Sequence, residues 1–380
     1  MHIGFLTPEY PHLKATRSGG IGTSIKNLAE PLAKKGINVS IFIYDQEIDE
    51  IINLDRIKLH FIKKRKYPVL GWYLHRKFLQ NYLNKYISVD KIDLIEAPDW
   101  TGITAFMNLK CPLVIRIHGS DTYFCHLENR EQKKKNYLLE KTAIRSADHV
   151  LSVSKYSATI SKKLFKLSKE IKVIPNALNL EEFIPNSKIT IPERLLYFGS
   201  IIRKKGVLEL AEIFKLVIRQ NSKARLIMAG KDVIDSKTGK STKTLFEDKL
   251  SENAVKKIEW LGDLGYKNIQ NEINKAEIVV LPSLAEALPM TWLEAMALEK
   301  AMLTSNIGWA DEIMINGITG YIENPTNHKE FAEKILKLLS DKQKAKEMGR
   351  KARKQIEEKF SSEKVIQKNL NFYKNVIENK

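Results

Sequence analysis

Apolar residues fall along this chain in two alternating patterns, short unbroken runs and longer stretches at helical spacing. Ile3–Leu6 is an unbroken run closed by Thr7-Pro8, which predicts a short buried strand. After Ser18-Gly19-Gly20-Ile21-Gly22, the residues Ile25, Leu28, Ala29, Leu32 and Ala33 recur at the spacing of one helix face. Gly36 then stands where a helix-terminating glycine belongs. Val39–Tyr44, apolar but for Ser40, reads as a second strand. Strand, glycine turn, helix and strand in that order make the first unit of a parallel α/β sheet.

The alternation continues through Leu94–Ala97, Leu113–Ile117, Val150–Val153 and Lys172–Ile174, each read as a strand. Ile184–Pro192 carries two prolines and no periodicity, which predicts a linker. Beyond it the same pattern restarts. Arg194–Phe198 reads as a strand, Gly199–Gly206 as a basic turn and Val207–Arg219 as a helix with Leu208, Ala211 and Val217 inward. Further strands are predicted at Arg225–Ala229, Ile258–Leu261, Ile278–Leu281 and Ala301–Ser305, and the C-terminal stretch reads as helical and heavily charged. The pattern predicts an α/β protein of two doubly wound, Rossmann-like domains, 1–187 and 188–360, facing each other across a cleft.

Composition narrows the function classes. The 380 residues are 43% hydrophobic and 28% charged, with 18 Gly and 12 Pro, an ordinary globular balance that excludes a disordered, collagenous or coiled-coil chain. No apolar run approaches the ~20 residues of a membrane-spanning helix. The N-terminus lacks the basic flank of a signal peptide. Cys111 and Cys125 are the two cysteines, too few for a disulfide scaffold or a cysteine-based zinc site. A cytoplasmic protein is expected. The net charge of +18 suits nucleic acid, an anionic lipid surface or phosphate-bearing substrates, and equally a merely solvated basic surface.

Three features could carry chemistry. The Gly19-Gly20-x-Gly22 turn opens a helix, where backbone N–H groups and the positive end of the helix dipole favour an anion. It is not the Gly-x-Gly-x-x-Gly of dinucleotide-binding folds, and no acidic residue closes the second strand cleanly. Arg203-Lys204-Lys205-Gly206 follows the strand that opens the second half, and cations there could neutralise a diphosphate. The third feature follows Ile278–Leu281. Glu286 lies in the loop before a helix that Pro289 starts, and Glu294 lies about a turn inside that helix. The backbone N–H groups of Leu288 and Met290 sit at the helix mouth.

The Glu-x7-Glu spacing followed by Ala295-Met296-Ala297 resembles the donor-binding signature of the retaining GT-B glycosyltransferases of family 4. Other motifs resemble that family in the same order: Gly19-Gly20-Ile21-Gly22, Arg116-Ile117-His118-Gly119, Ala147-Asp148-His149-Val150-Leu151-Ser152-Val153-Ser154, and Val173-Ile174-Pro175-Asn176 with Phe183. The resemblance spans almost the whole chain. It implies the GT-B fold, an acceptor-binding first domain, a donor-binding second domain, and a final helix, about 361–380, that packs back on the first. It also implies a nucleotide diphosphate sugar as donor, UDP- or GDP-linked, and neither a cofactor nor a catalytic metal.

By the same resemblance, Glu294 would hold the nucleotide ribose hydroxyls and Glu286 the hydroxyls of the donor sugar. Lys205 would neutralise the leaving diphosphate, His118 would sit near the donor sugar, and Gly20 would let its loop approach the phosphates. Ser200 stands where the family usually has arginine, and Arg203 is the candidate replacement. Ala287, Glu299 and Ala301 also depart from the family pattern.

Lys63-Lys64-Arg65-Lys66 precedes Tyr67, Trp72, Tyr73, Arg76, Lys77, Phe78, Tyr82 and Tyr86, and basic residues among aromatics suit an anionic bilayer. The family implies a glycan or lipid-linked acceptor, a peripheral contact with the inner face of the plasma membrane, and a product such as lipopolysaccharide or capsule. Nucleic acid would explain the charge but none of the motifs, and no nucleic-acid partner is expected. Two other readings use the same residues: a GT-B sugar-nucleotide epimerase, and a non-catalytic GT-B nucleotide-binding or scaffold partner, which the Ser200 departure favours.

Overall fold

The computed structural model describes residues 1–379, which divide into two compact units. The first comprises Met1–Leu178 and the chain from Phe360 on, and the second Asn179–Lys359. In the first unit β1 (His2–Thr7), β2 (Asn38–Gln46), β3 (Glu50–Leu54), β4 (Ile57–Lys63), β5 (Leu94–Pro98), β6 (Leu113–Ile117), β7 (His149–Ser152) and β8 (Ile171–Val173) form one sheet. Their spatial order is β3-β4-β2-β1-β5-β6-β7-β8. Neighbours run parallel, with Ile3 opposite Val39 and Phe5 opposite Ile41, except that β3 pairs antiparallel with β4.

The unbroken apolar runs have a direct cause. Ile3, Phe5 and Ile41 face the helix Gly20–Lys34 through Ile25, Leu28 and Leu32, while Leu6, Phe42 and Ile95 face the helix Gly71–Val89 through Leu79 and Leu83. A parallel strand covered on both faces has no solvent side to be polar. β3, by contrast, is a largely exposed edge strand and shows no such signal in the sequence.

The C-terminal helix Ser362–Glu378 packs Ile366 and Tyr373 into the first of these cores. A buried polar knot fastens it there. Arg116 on β6 pairs with Glu96 on β5 through Nε at 2.7 Å and Nη2 at 2.9 Å, and its Nη2 donates to Asn369 Oδ1 at 2.6 Å. The Tyr373 hydroxyl donates to Glu96 at 2.8 Å. Arg116→Met would leave the Glu96 carboxylate buried without its cation, and is expected to destabilise the first unit by about 3–5 kcal/mol. Guanidinium unfolding checks this; a loss under ~1 kcal/mol would mean that the knot contributes nothing beyond its desolvation cost.

The second unit has β9 (Arg194–Phe198), β10 (Arg225–Ala229), β11 (Ile258–Gly262), β12 (Ile278–Leu281), β13 (Ala301–Ser305) and β14 (Tyr321–Glu323). Their order is β11-β10-β9-β12-β13-β14, all parallel. The chain enters this unit at Asn179, upstream of the Ile184–Pro192 stretch read as a linker and of the boundary expected after residue 187. That stretch is tied to the second unit instead. Asn186 N–H donates to Asn274 Oδ1, Ile191 N–H donates to Lys275 O, each at 2.9 Å, and the Lys300 ammonium reaches Thr190.

Strand order reverses between β1 and β5 in one sheet and between β9 and β12 in the other. Ligands of open α/β sheets bind beyond the carboxyl ends of strands at such reversals. Among the described residues no helix is long and apolar enough to cross a membrane.

Candidate active site

The reversal in the second unit brings two loops together, one after β9 and one after β12. Leu284 and Ala285 N–H both donate to Lys204 O, at 2.8 and 3.2 Å, so the basic turn and the glutamate loop are joined through backbone. Gly206 makes this approach possible. Its φ is +69°, and a Cβ there would run into the carbonyl oxygen of Pro282.

This junction sets Lys205 Nζ against Glu286 Oε1 in an ion pair. Glu286 is 7% exposed. Leu288 and Met290 lie at the entrance of the helix Met290–Ala297, which Pro289 caps rather than occupies. Glu294, one turn into that helix, is also 7% exposed. Burial lifts its carboxyl to about 7, against a hydrogen bond from Tyr266 and the nearby Lys205 charge, both of which pull it down. The unit therefore holds one compensated carboxylate and one poised between its two protonation states at neutral pH.

Arg203 departs from expectation. Its Nε and Nη2 donate to the two oxygens of Asp235 at 2.8 and 2.9 Å, and Asp235 is 2% exposed. Asp235 also accepts from the Thr238 amide and hydroxyl, so Arg203 anchors the loop after β10. A guanidinium bound in this way on both prongs anchors that loop, while its side chain keeps 34% of its surface exposed. The pairing with Arg203, with help from Thr238 and against burial, holds the Asp235 carboxyl down at about 2.

Arg203→Ala is expected to destabilise the second unit by about 1–2 kcal/mol, because a buried carboxylate would lose its partner while solvent around the partly exposed guanidinium screens the pair. The contribution of the pair is full above the ordinary carboxyl value of 3.8 and fades as pH falls toward about 2. Unfolding midpoints of wild type and variant that converge at acid pH would bear this out, and a constant gap would contradict it.

In the first unit the glycine turn also differs from its reading. Gly20 is already the first residue of its helix, exposed, with nothing within 4 Å of where a Cβ would stand. The N–H groups of Ile21 and Gly22 donate to Glu9 Oε1 at 2.8 and 3.0 Å. A side-chain carboxylate thus accepts from two of the backbone N–H groups at this helix mouth. The close approach falls on Gly22, which packs on the Glu9–Tyr10 backbone.

His118 follows β6 directly, and its N–H donates to Asp99 Oδ1 at 2.9 Å. Burial and the Arg116 charge push its imidazole down to about 3, so it is neutral at physiological pH and able to donate or accept a hydrogen bond. Asp99 is wholly buried, and burial raises it to about 7. Among the described residues no group of three His, Cys, Asp or Glu side chains is placed to hold a metal ion.

Glu9, Asp99, Tyr266 and Asp235 were not legible as partners of these residues. Each meets its partner across a distance in sequence that no local motif records; only Glu9, a short step before the glycines and close to the end of β1, offered a signal.

Residues 181–355 match the family described as glycosyl transferases group 1, and residues 18–182 match glycosyltransferase family 4. An uncharacterized glycosyltransferase of Methanocaldococcus jannaschii, MJ1607, is 25% identical and covers 100% of this chain and 99% of its own. The capsular polysaccharide biosynthesis glycosyltransferase CapM of Staphylococcus aureus is 27% identical over 60% of this chain and 61% of its own. The crystal structure of Anabaena HepE in complex with UDP and glucose superposes with a TM-score of 0.76 at 16% identity, covering 99% of this chain and 100% of that one. The two family matches meet end to end over residues 18–355, and with two parallel-sheet units of this topology the chain belongs to the family 4 glycosyltransferases of GT-B fold.

Proposed function

We propose that the chain moves a sugar from a UDP- or GDP-linked donor to a hydroxyl of a glycan or lipid-linked acceptor with retention of anomeric configuration, in the assembly of a bacterial envelope polysaccharide. The observation that carries this reading is the convergence of Lys205, Glu286 and Glu294 at the strand-order reversal of the second unit. Ionised Glu294 accepts from the ribose hydroxyls. Leu288 and Met290 offer backbone N–H groups to the donor at the helix mouth. Glu286 accepts from hydroxyls of the donor sugar, and Lys205, pulled from Glu286 toward the diphosphate, stabilises the negative charge that grows as the anomeric C–O bond breaks.

The acceptor oxygen then bonds to the anomeric carbon on the face that the diphosphate leaves, and its proton passes to a leaving phosphate oxygen. His118, neutral, serves as a hydrogen-bonding group toward the transferred sugar. The UDP and glucose held by HepE support a nucleotide-sugar donor, and CapM, a capsule-synthesis relative, supports an envelope product. In the first unit, Val69, Leu70 and Leu74 are exposed beside Lys63–Lys66, which supports contact with an anionic bilayer carrying the acceptor.

The test is a donor and acceptor screen read by release of nucleoside diphosphate, with the new linkage assigned by proton NMR. Transfer with the donor's anomeric configuration is expected. An inverted product would remove retention, and conversion of a nucleotide sugar without any acceptor would replace transfer by epimerisation.

A further inference from the structure

A cavity lies in the first unit, at the carboxyl ends of β2, β4 and β5 and away from the glutamate loops. It has a volume of about 510 Å³, and its lining includes Asp45, Lys64, Lys66, Trp72, Arg76 and Thr101. Three features set it apart from an ordinary surface dent.

The first is charge. Arg76 is 6% exposed, and its guanidinium is held by backbone carbonyls of Trp72, Thr101 and Gly102 at 2.7, 3.1 and 3.2 Å rather than by a carboxylate. Asp45, the one carboxylate among the lining residues, is already engaged by His75 at 3.0 Å and Lys64 at 3.4 Å. Arg65 turns to Asp49 at 2.7 Å, and among the described residues no carboxylate pairs with Lys66. Cations therefore outnumber anions around a concave space, where the low-dielectric walls strengthen their field.

The second is strain. Asp45 and Thr101 line the cavity with φ of +60° and +55°, and Leu70, just before the lining residue Gly71, has φ of +52°. A left-handed backbone is costly for side-chain-bearing residues, above all a β-branched one, and such residues gather where a site holds them in place. Arg76 does so here by binding the Thr101 carbonyl.

The third is an aromatic wall. Trp72 is 37% exposed, and Lys135 lies 5.1 Å from its ring centroid. An indole face beside ammonium groups suits a saccharide ring that carries an acid. The cavity also adjoins the His118 turn through chain, since Asp99, which holds His118 N–H, is followed two residues on by Thr101.

We infer that this cavity is an acceptor subsite that reads an anionic group, carboxylate or phosphate, on the acceptor saccharide. Lys64 and Lys66 contact the anion, Arg76 supplies a fixed positive wall, and Trp72 stacks on the sugar ring. The word acceptor rests on the transfer proposed above; the anion preference stands on the cavity alone.

The test uses the full-length protein, with glucuronate, glucose 6-phosphate and glucose titrated at equal ionic strength. Both acids are expected to bind about tenfold more tightly than glucose, the effect of one charge-assisted contact. Lys64→Ala/Lys66→Ala should bring them down to the level of glucose, Trp72→Phe should weaken all three sugars, and Lys205→Ala should leave the acids bound. Preference for one acid over the other identifies carboxylate or phosphate as the natural group.

Equal binding of acid and neutral sugars would overturn the subsite. So would acid binding that survives the double substitution, or that is lost in Lys205→Ala instead. Co-sedimentation with phosphatidylglycerol vesicles is run beside the titrations; vesicle binding without sugar-acid binding would assign the lysines to a bilayer surface and likewise overturn it. UDP and GDP titrated into the same samples report on the donor site separately, so failure of one reading is not mistaken for failure of the other.

Discussion

Lys205→Ala is expected to lower kcat for sugar transfer by about 10²- to 10³-fold, the usual loss when a preorganised group that meets developing charge is removed. Lys205 stands in the short turn after β9, paired with Glu286, and the Gly206 junction fixes its backbone against Pro282. In the resting protein its charge compensates Glu286. In the proposed reaction the same charge would be needed most when the diphosphate departs, so its removal is expected to fall on the transition state more than on donor binding. A smaller rise in KM than fall in kcat is the expected pattern. Glu286 loses its partner in this variant, so a melting curve must accompany the kinetics. Lys205→Arg, which keeps the charge, should recover part of the rate. Transfer within about threefold of wild type in a folded Lys205→Ala protein would remove the residue from the mechanism.

Glu294→Ala is expected to weaken nucleotide binding by about 10²-fold, since each hydrogen bond to a charged group contributes about 1.5–3 kcal/mol and the ribose offers two hydroxyls. The elevated carboxyl adds a pH signature. Only the ionised form accepts from both hydroxyls, so nucleotide affinity should rise with pH through about 7 and level off above it. Stability of the unliganded protein runs the other way. Folding raises this carboxyl from 4.5 to about 7, so its contribution is full below 4.5 and is lost as pH rises through about 7. Glu294→Gln, neutral throughout, should flatten both profiles in that interval. A nucleotide affinity that is independent of pH across it would mean that the carboxylate does not contact the ribose.

How much of this was legible in the sequence depends on whether the signal is local. Arg194–Phe198, Arg225–Ala229, Ile278–Leu281 and Ala301–Ser305 are found at the boundaries read from their apolar runs, because strands buried on both faces leave an unbroken signature. β3 left none, being an exposed edge strand whose pairing with β4 is its main reason to be extended. The glutamate loop and the basic turn were visible as motifs, and their union was not: it is made by backbone bonds between Lys204 and Leu284, far apart in sequence.

Arg203 was singled out as a candidate diphosphate ligand beside other cations, and its partner in the fold, Asp235, comes from a loop that carries no motif. The glycine turn was read correctly as the start of a helix. That Glu9 accepts from two of its N–H groups could not be read from the turn itself. In each case the residue type was informative and the partner was a tertiary fact.

The central claim is that the second unit binds a nucleoside diphosphate through Glu294, and isothermal titration of UDP, GDP and ADP into wild type and Glu294→Ala tests it most directly. Micromolar binding of one nucleotide, lost in the variant while its melting curve stays cooperative, is the predicted result. Binding of equal strength in both proteins, or no binding of any of the three to wild type, would contradict it.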